Sequence, residues 1–116
     1  MTIKRFHVGP RLSEMAVHGN TIYLAGQVAG DTTKDITGQT REVLAAIDAL
    51  LGEVGSDKSR ILSTTIYIAD MADFPAMNAV WDTWVVPGAT PPRATVEAAL
   101  AKPAYKVEVQ IIAAMP

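Results

Sequence analysis

The chain has 116 residues, of which 49% are hydrophobic, and it contains no cysteine. A chain of this length buries roughly two-thirds of its unfolded surface, which is enough to form a core without disulfide bonds. The lack of cysteine excludes thiolate metal sites, a cysteine nucleophile and redox sensing, and it fits a reducing compartment. The formal net charge is −2, and lysine and arginine are scattered along the chain, so we expect no nucleic-acid partner.

The amino-terminal residues MTIKRFHVGP lack the apolar segment of about 7–15 residues that defines a secretory signal. No apolar run approaches the roughly 20 residues that span a bilayer. We therefore expect a cytoplasmic protein without a membrane partner, folded as a single domain over residues 1–116.

The first predicted elements are two strands, Glu14 to His18 and Thr21 to Gln27. Gly19-Asn20 between them is a two-residue signal for a hairpin turn. A helix is predicted from Asp35 to a stop at Gly55, because apolar residues recur between them at three- and four-residue steps. These residues are Val43, Leu44, Ile47, Leu50, Leu51 and Val54.

A third strand is predicted in the β-branched run ILSTTIYIAD, residues 61–70. Asp73 is predicted to cap a second helix that has Pro75 in its first turn. This helix presents Phe74, Met77, Trp81 and Trp84, and we interpret its tryptophans as core residues rather than as a ligand-stacking surface. Two alternating runs, 93–98 and 106–111, complete the order ββαβαββ. The predicted fold class is α+β, with a mixed sheet and two helices on one face.

The sheet face opposite the helices is predicted to carry Tyr23, Ala25, Thr65 and Tyr67. Small and aromatic side chains in place of lysine and glutamate indicate that this face is buried against other subunits. The sequence therefore predicts a homo-oligomer.

Arg93 and Glu108 lie on strands that otherwise resemble core strands, where an unpaired charge costs several kcal/mol as an order of magnitude. A hairpin around Lys102-Pro103 would pair them directly and place Thr95 opposite Lys106. Two interpretations of the pair follow. One is an ion pair at a sheet edge, which spacing alone favours. The other is a carboxylate-binding site, in which the arginine fork grips the ligand and the glutamate orients or activates a water molecule.

Three segments carry a resemblance to a known family: GNTIYLAGQV, DMADFPAMNAVWDTWV and PPRATVEAALAKPAYKVEVQIIAA. In order and spacing they resemble the reactive-intermediate deaminase family (RidA, also called YjgF), and the YoaB-like branch in particular. The resemblance covers nearly the whole chain. It implies a chorismate-mutase-like fold, a homotrimer with three clefts between subunits, and hydrolysis of enamines or imines to 2-keto acids and ammonia without a cofactor.

The resemblance also implies roles for single residues. Arg93 matches the family's carboxylate-binding arginine, and Glu108 matches the glutamate associated with the catalytic water. Asn78 matches a helix asparagine of the cleft region, and Gly26 matches a glycine of the cleft wall. The departures are Ala25, where the best-known members carry serine, and Thr95, where they often carry cysteine. No tyrosine stands between Arg11 and Val17, where those members place one in the pocket.

Other patterns point to no further chemistry. His7 and His18 have no acidic cluster at metal spacing, so we expect no metal, and GQVAG is neither a dinucleotide nor a phosphate-binding motif. Three functions remain open: an imine deaminase, a non-catalytic binder of small carboxylates such as keto acids, and an RNase or chaperone-like interaction protein. The net charge of −2 disfavours the third.

Overall fold

The computed structural model describes residues 1–116, and one mixed β-sheet runs through them. Two helices are present, α1 (Ile36–Glu53) and α2 (Phe74–Trp84). The strands are β1 (Ile3–Val8), β2 (Ser13–His18), β3 (Thr21–Leu24), β4 (Gln27–Val28), β5 (Ile61–Ile68), β6 (Arg93–Glu97) and β7 (Val107–Ala114). The chain order is therefore ββββαβαββ. The predicted order ββαβαββ is incomplete, because it lacks β1 and merges β3 with β4.

The strands lie in the spatial order β1-β2-β3-β7-β5-β6, and β4 pairs with β7 beyond the end of β3. Every pair is antiparallel except β5 with β6. Helix α2 connects these two parallel strands, as such a pair requires a crossover. β6 is an edge strand, so one side of its backbone is unpaired within the chain.

The predicted hairpin is confirmed, since His18 pairs with Thr21 across the Gly19-Asn20 turn. Gly19 has a φ of 60°, a left-handed conformation that glycine adopts without strain. On the other side β2 pairs with β1 from Ile3 opposite His18 onward. Nearly every residue of β1 is exposed, so this strand lacks the alternation of burial that would have predicted it.

The limits of α1 agree with the prediction. The Asp35 side chain accepts a hydrogen bond from the Gly38 N–H at 2.9 Å, and Gly55 follows the helix with a φ of 75°. Asp73 is the N-cap residue of α2 and Pro75 lies in its first turn, as predicted, although Asp73 makes no side-chain capping bond. Asp70 instead accepts from the Ala72 N–H at 2.9 Å and begins a short 3₁₀ turn, Met71–Asp73, that continues into α2.

The core is one cluster of 21 buried apolar residues between the helices and a single face of the sheet. From β7 it takes alternate residues, such as Val107 and Val109, because alternate side chains of a strand face the same way. Met77 and Trp81 of α2 are buried in it, which confirms their assignment to the core. Neither helix combines the length and the apolar composition that a membrane span requires.

The other sheet face carries Tyr23, Ala25, Thr65 and Tyr67, as predicted. Tyr23 is 47% exposed, and the other three are partly exposed. The helices cover only the core face, so these uncharged side chains have no layer above them within the chain.

Candidate functional site

Glu108 lies in a cavity on the sheet face that the helices leave open. The cavity has a volume of about 330 Å³, within the range of small-molecule sites. Tyr67, on β5, lies directly opposite Glu108. The lining residues are Gly26, Tyr67, Ala98, Ala99, Leu100, Ala101, Glu108 and Gln110. The loop after β6 thus supplies an apolar wall, and Glu108 is the only charged group in the lining.

The Glu108 side chain lies directly against Gly26. A Cβ atom at Gly26 would be 2.8 Å from Cδ and 3.0 Å from Cγ of Glu108, well inside the roughly 3.5–4.0 Å at which carbon atoms make favourable contact. Gly26 is not among the glycines with positive φ. A side chain at position 26 would therefore displace the Glu108 side chain, whereas the backbone conformation of Gly26 does not itself call for glycine.

A β-bulge produces this close approach. Tyr23 pairs with Ile112, and Gln27 pairs with Val109, so three residues, 24–26, lie opposite two residues, 110–111. The extra residue divides the predicted strand Thr21 to Gln27 into β3 and β4. Bulges bend a strand and redirect its side chains, and they are frequent next to functional sites.

Gln39 of α1 fixes the segment that follows the apolar wall of the cavity. It is fully buried. Its Nε2 donates to the carbonyl oxygens of Lys34 and Ala104, each at 3.0 Å, and its Oε1 accepts from the Lys106 N–H at 2.9 Å. Sequence reasoning missed this residue. The available signal was a polar residue on the apolar stripe of α1, since Gln39 precedes Val43 by one helical turn.

Arg93 and Asn78 are brought together, as the resemblance implies. Arg93 Nη1 donates to Asn78 Oδ1 at 2.8 Å. The guanidinium Cζ lies 5.2 Å from the ring centroid of Trp81 and 5.8 Å from that of Phe74, both within the range of cation–π contacts. All three partners belong to α2, so the Arg93 side chain is on the helix side of the sheet.

Arg93 and Glu108 are not brought together within the chain, and the predicted hairpin between their strands is wrong. β5 lies between β6 and β7, where Thr64 pairs with Arg93 and Tyr67 pairs with Glu108. Arg93 points to the helix side, whereas Glu108 points to the open side. The predicted edge ion pair is therefore also wrong. The basic and acidic side chains that do contact each other are those of His7 with Glu53 and of Lys34 with Glu42.

The remaining predicted residues divide between these two places. Thr95 is two residues after Arg93, on the same face of β6, and its buried Oγ1 has no hydrogen-bond partner. Ala25 lies in the bulge beside Gly26, and its carbonyl accepts from Gln27 at 3.1 Å. We call Ala25, Gly26 and Glu108 the Glu108 half-site. We call Asn78, Arg93 and Thr95 the Arg93 half-site.

Side chains with displaced pKa values lie outside both half-sites. The Asp31 N–H is the main cause of a lowered pKa at Glu42. The Thr33 hydroxyl likewise lowers the pKa of Asp31, and the Ser59 hydroxyl lowers that of Asp57. No three histidine, aspartate or glutamate side chains converge in the manner of metal ligands.

Comparison with known proteins identifies the family. A family model described as Endoribonuclease L-PSP matches residues 2–115. The chain belongs to the YjgF/L-PSP family. A RutC family protein of Haemophilus ducreyi is 50% identical over 113 residues, covering 97% of each chain. The RutC family protein YoaB of Escherichia coli is 49% identical over 115 residues, covering 99% of this chain and 100% of that protein. The predicted family and its YoaB-like branch are thus confirmed.

A solved YjgF-family structure has the same fold. This protein, from Neisseria meningitidis, matches with a TM-score of 0.97 at 45% identity, covering 100% of this chain and 97% of that chain. The predicted α+β class, with two helices and a mixed sheet, is therefore confirmed. Both half-sites are built on elements of this YjgF/L-PSP framework: β6 and α2 carry one, and β7 and the bulge carry the other.

Proposed function

We propose that the protein hydrolyses reactive enamine or imine intermediates to 2-keto acids and ammonia, at sites formed between the copies of a homotrimer. The observation that carries the proposal is the separation of the half-sites. Arg93 and Glu108 each lie in a half-site without an opposite charge from the same chain, and they face opposite sides of the sheet. Membership of the YjgF/L-PSP family is consistent with this chemistry.

In this proposal the Arg93 half-site holds the carboxylate of the substrate. A guanidinium carries five N–H donors, and within the chain Arg93 makes one side-chain hydrogen bond, to Asn78. The remaining donors match a carboxylate in a bidentate pair. An imino acid or its enamine tautomer presents such a carboxylate next to the reacting carbon.

The Glu108 half-site supplies the water. The carboxylate of Glu108 accepts a proton as the water oxygen attacks the C=N carbon, and a carbinolamine forms. Return of this proton to the nitrogen completes the neutral carbinolamine. Glu108 then transfers the hydroxyl proton of the carbinolamine to the nitrogen as the C–N bond breaks, so ammonia leaves with a 2-keto acid as the other product. Positioning and one general-base step, commonly worth about 10²–10⁴ in rate, suffice because imines also hydrolyse unaided. No cofactor takes part in these steps.

A contact between copies would join the half-sites. β6 is an edge strand, so the Arg93 half-site lies at the border of the chain, where a neighbour can approach it. The open sheet face offers the uncharged side chains of Tyr23, Thr65 and Tyr67 to such a neighbour. A head-to-tail contact closes into a ring when the rotation between neighbours divides a full turn, and we propose a ring of three with the chorismate-mutase-like arrangement.

Imine decay is the direct test of this function. An amino-acid oxidase generates the imine in place, and the decay is followed with and without the protein. We expect wild type to accelerate the decay and Glu108→Gln to lower turnover at least tenfold, since the amide cannot accept the proton. Glu42→Gln is the matched control, because Glu42 binds the Gly30 and Asp31 N–H groups outside both half-sites. Equal rates for wild type and Glu108→Gln would contradict the role of Glu108.

Arg93→Lys tests the carboxylate contact. Lysine keeps the charge but loses the planar fork, so we expect the affinity for pyruvate or 2-oxobutyrate to fall by about 1.5–3 kcal/mol, as for a hydrogen bond to a charged group. Arg41→Lys, on exposed α1 surface, is the control, and calorimetry is the measurement. Unchanged keto-acid affinity in Arg93→Lys would show that Arg93 is structural.

Mixing the two impaired variants tests the assembly between copies. Arg93→Lys chains retain Glu108, and Glu108→Gln chains retain Arg93, so a mixed ring contains some complete sites. Random mixing after unfolding and refolding together should restore about a quarter of the wild-type sites, since each site takes one residue from each of two neighbours. No recovery in mixed rings would show that the two residues do not act at one shared site.

The second candidate is a non-catalytic binder of small carboxylates. The apolar lining of the cavity favours it, because alanine and leucine supply half of the lining residues and few polar groups remain for catalysis. Keto-acid binding through Arg93 without any acceleration of imine decay would select this function. Cleavage of RNA by the same preparation would instead favour the activity in the family description.

A further inference from the structure

Two aromatic rings of α2 lie beside the guanidinium of Arg93. The ring centroids of Trp81 and Phe74 are 5.2 Å and 5.8 Å from Cζ, and Asn78 Oδ1 accepts from Nη1 at 2.8 Å. Phe74, Asn78 and Trp81 are separated by four and three residues, so they form a single stripe along the helix. We call the two rings the aromatic surface.

The larger ring of the aromatic surface is itself held in place. Trp81 is only 6% exposed, and its ring centroid lies 5.3 Å from that of Trp84. Trp84 Nε1 in turn donates to Asp48 Oδ2 of α1 at 3.0 Å. A series of contacts therefore runs from α1 through both tryptophans to Arg93.

We infer that the aromatic surface is a positioning element that holds the Arg93 guanidinium in one orientation, ready for a carboxylate. The inference rests on the proposed function for its ligand. An arginine side chain otherwise samples many rotamers, and ordering them on binding weakens affinity. Contact with the rings restricts the guanidinium plane beforehand, and the bond to Asn78 fixes its rotation within that plane. Four of its five N–H donors then remain for the ligand.

Substitution of Trp81 tests the positioning directly. The Arg93 side-chain Nε–H signal, assigned by its loss in Arg93→Lys, reports the contact by nuclear magnetic resonance, because a proton over a ring face is shifted upfield. We expect Trp81→Leu to lose this ring-current shift and to bind pyruvate or 2-oxobutyrate about tenfold more weakly. Trp81→Tyr keeps a ring and should retain most of the shift and of the affinity.

A control separates positioning from general destabilisation. Val80→Ala removes a buried side chain of the same helix that is not one of the cation–π partners of Arg93. It should lower stability but leave the Arg93 signal and the keto-acid affinity unchanged. The inference is overturned if Trp81→Leu keeps both the ring-current shift of Arg93 and the keto-acid affinity. It is also overturned if Val80→Ala loses keto-acid affinity to the same extent as Trp81→Leu.

Two further outcomes remain decisive. If Trp81→Leu does not fold, Phe74→Leu removes the other, less buried ring, and an unchanged Arg93 signal in that variant overturns the inference. If wild type binds no keto acid, the proposed function fails, while the Arg93 signal still decides whether the rings order the guanidinium. The failure of one proposal is thus distinguishable from the failure of the other.

Discussion

Replacing Gly26 by alanine tests whether imine hydrolysis requires the Glu108 carboxylate in the position that the structure shows. The added Cβ would lie 2.8 Å from Glu108 Cδ and 3.0 Å from Cγ. Carbon atoms at rest are about 3.5–4.0 Å apart, so the carboxylate carbon must move by about 0.7 Å or more. A misplacement of about 1 Å can lower a rate about 10²-fold. We therefore expect imine hydrolysis to fall about 10- to 100-fold in Gly26→Ala.

The fold should survive this change, because the Gly26 backbone has no positive φ and the displaced group is the end of a long side chain. Gly52→Ala is the matched control. A Cβ at Gly52, in α1, would meet nothing within 4 Å, so turnover should match wild type and stability should rise by up to about 1 kcal/mol. Imine decay, circular dichroism and urea unfolding of the two variants provide the comparison.

A double variant completes the test. If the alanine acts by moving Glu108, it should have little further effect in a Glu108→Gln background, because two changes at one contact are not additive. A folded Gly26→Ala protein with turnover within about twofold of wild type would refute the reasoning. So would an equal loss from Gly26→Ala in both backgrounds.

Three other predictions concern assembly, packing and pH. Light scattering at micromolar concentration should give the mass of a trimer, and a monomer mass would contradict the sites between copies. Gln39→Met should lower the free energy of unfolding by about 1–3 kcal/mol, because the Lys106 N–H and the carbonyl groups of Lys34 and Ala104 lose their partner. A loss below about 1 kcal/mol in urea unfolding would mean that these groups find other partners. The hydrogen bond from the Asp31 N–H is the main cause of the lowered pKa of Glu42 in the folded protein. Ionised Glu42 should therefore stabilise the fold at pH values above the ordinary glutamate pKa of about 4.3. This contribution to the free energy of unfolding should disappear as the pH falls through the lower pKa of Glu42 in the folded state. The stability difference between wild type and Glu42→Gln should shrink in that acid range, and a pH-independent difference would contradict the assignment.

Elements with local signals could be predicted from the sequence. Gly19-Asn20 lies between two alternating runs, and the turn it predicts is present. Asp35 and Gly55 mark the two limits of α1. Each of these signals depends on conformations of a few neighbouring residues, so it is visible without the rest of the fold.

The relation of Arg93 to Glu108 could not be predicted in this way. The alternation of apolar and polar residues indicates which residues of one strand share a face, and this prediction is correct for β6 and for β7. It does not state which strands are neighbours. The turn signal at Lys102-Pro103 resembles that of a hairpin, but β5 lies between the strands β6 and β7 in the sheet, so these two strands do not pair with each other. The two charges consequently lie on different faces, although each strand was assigned its own alternation correctly.

Two of the hydrogen bonds of Gln39 also bear on the order in which the chain folds. They connect α1 to Ala104 and Lys106, 65 and 67 residues further along the chain, so they close a loop of high entropic cost. Contacts of such long sequence separation form slowly compared with a helix or a hairpin. The apolar wall beside Glu108 therefore acquires its native position only after α1 has docked on the sheet. We expect amide protection in the 98–106 segment to appear late during refolding, after that of the Gly19-Asn20 hairpin.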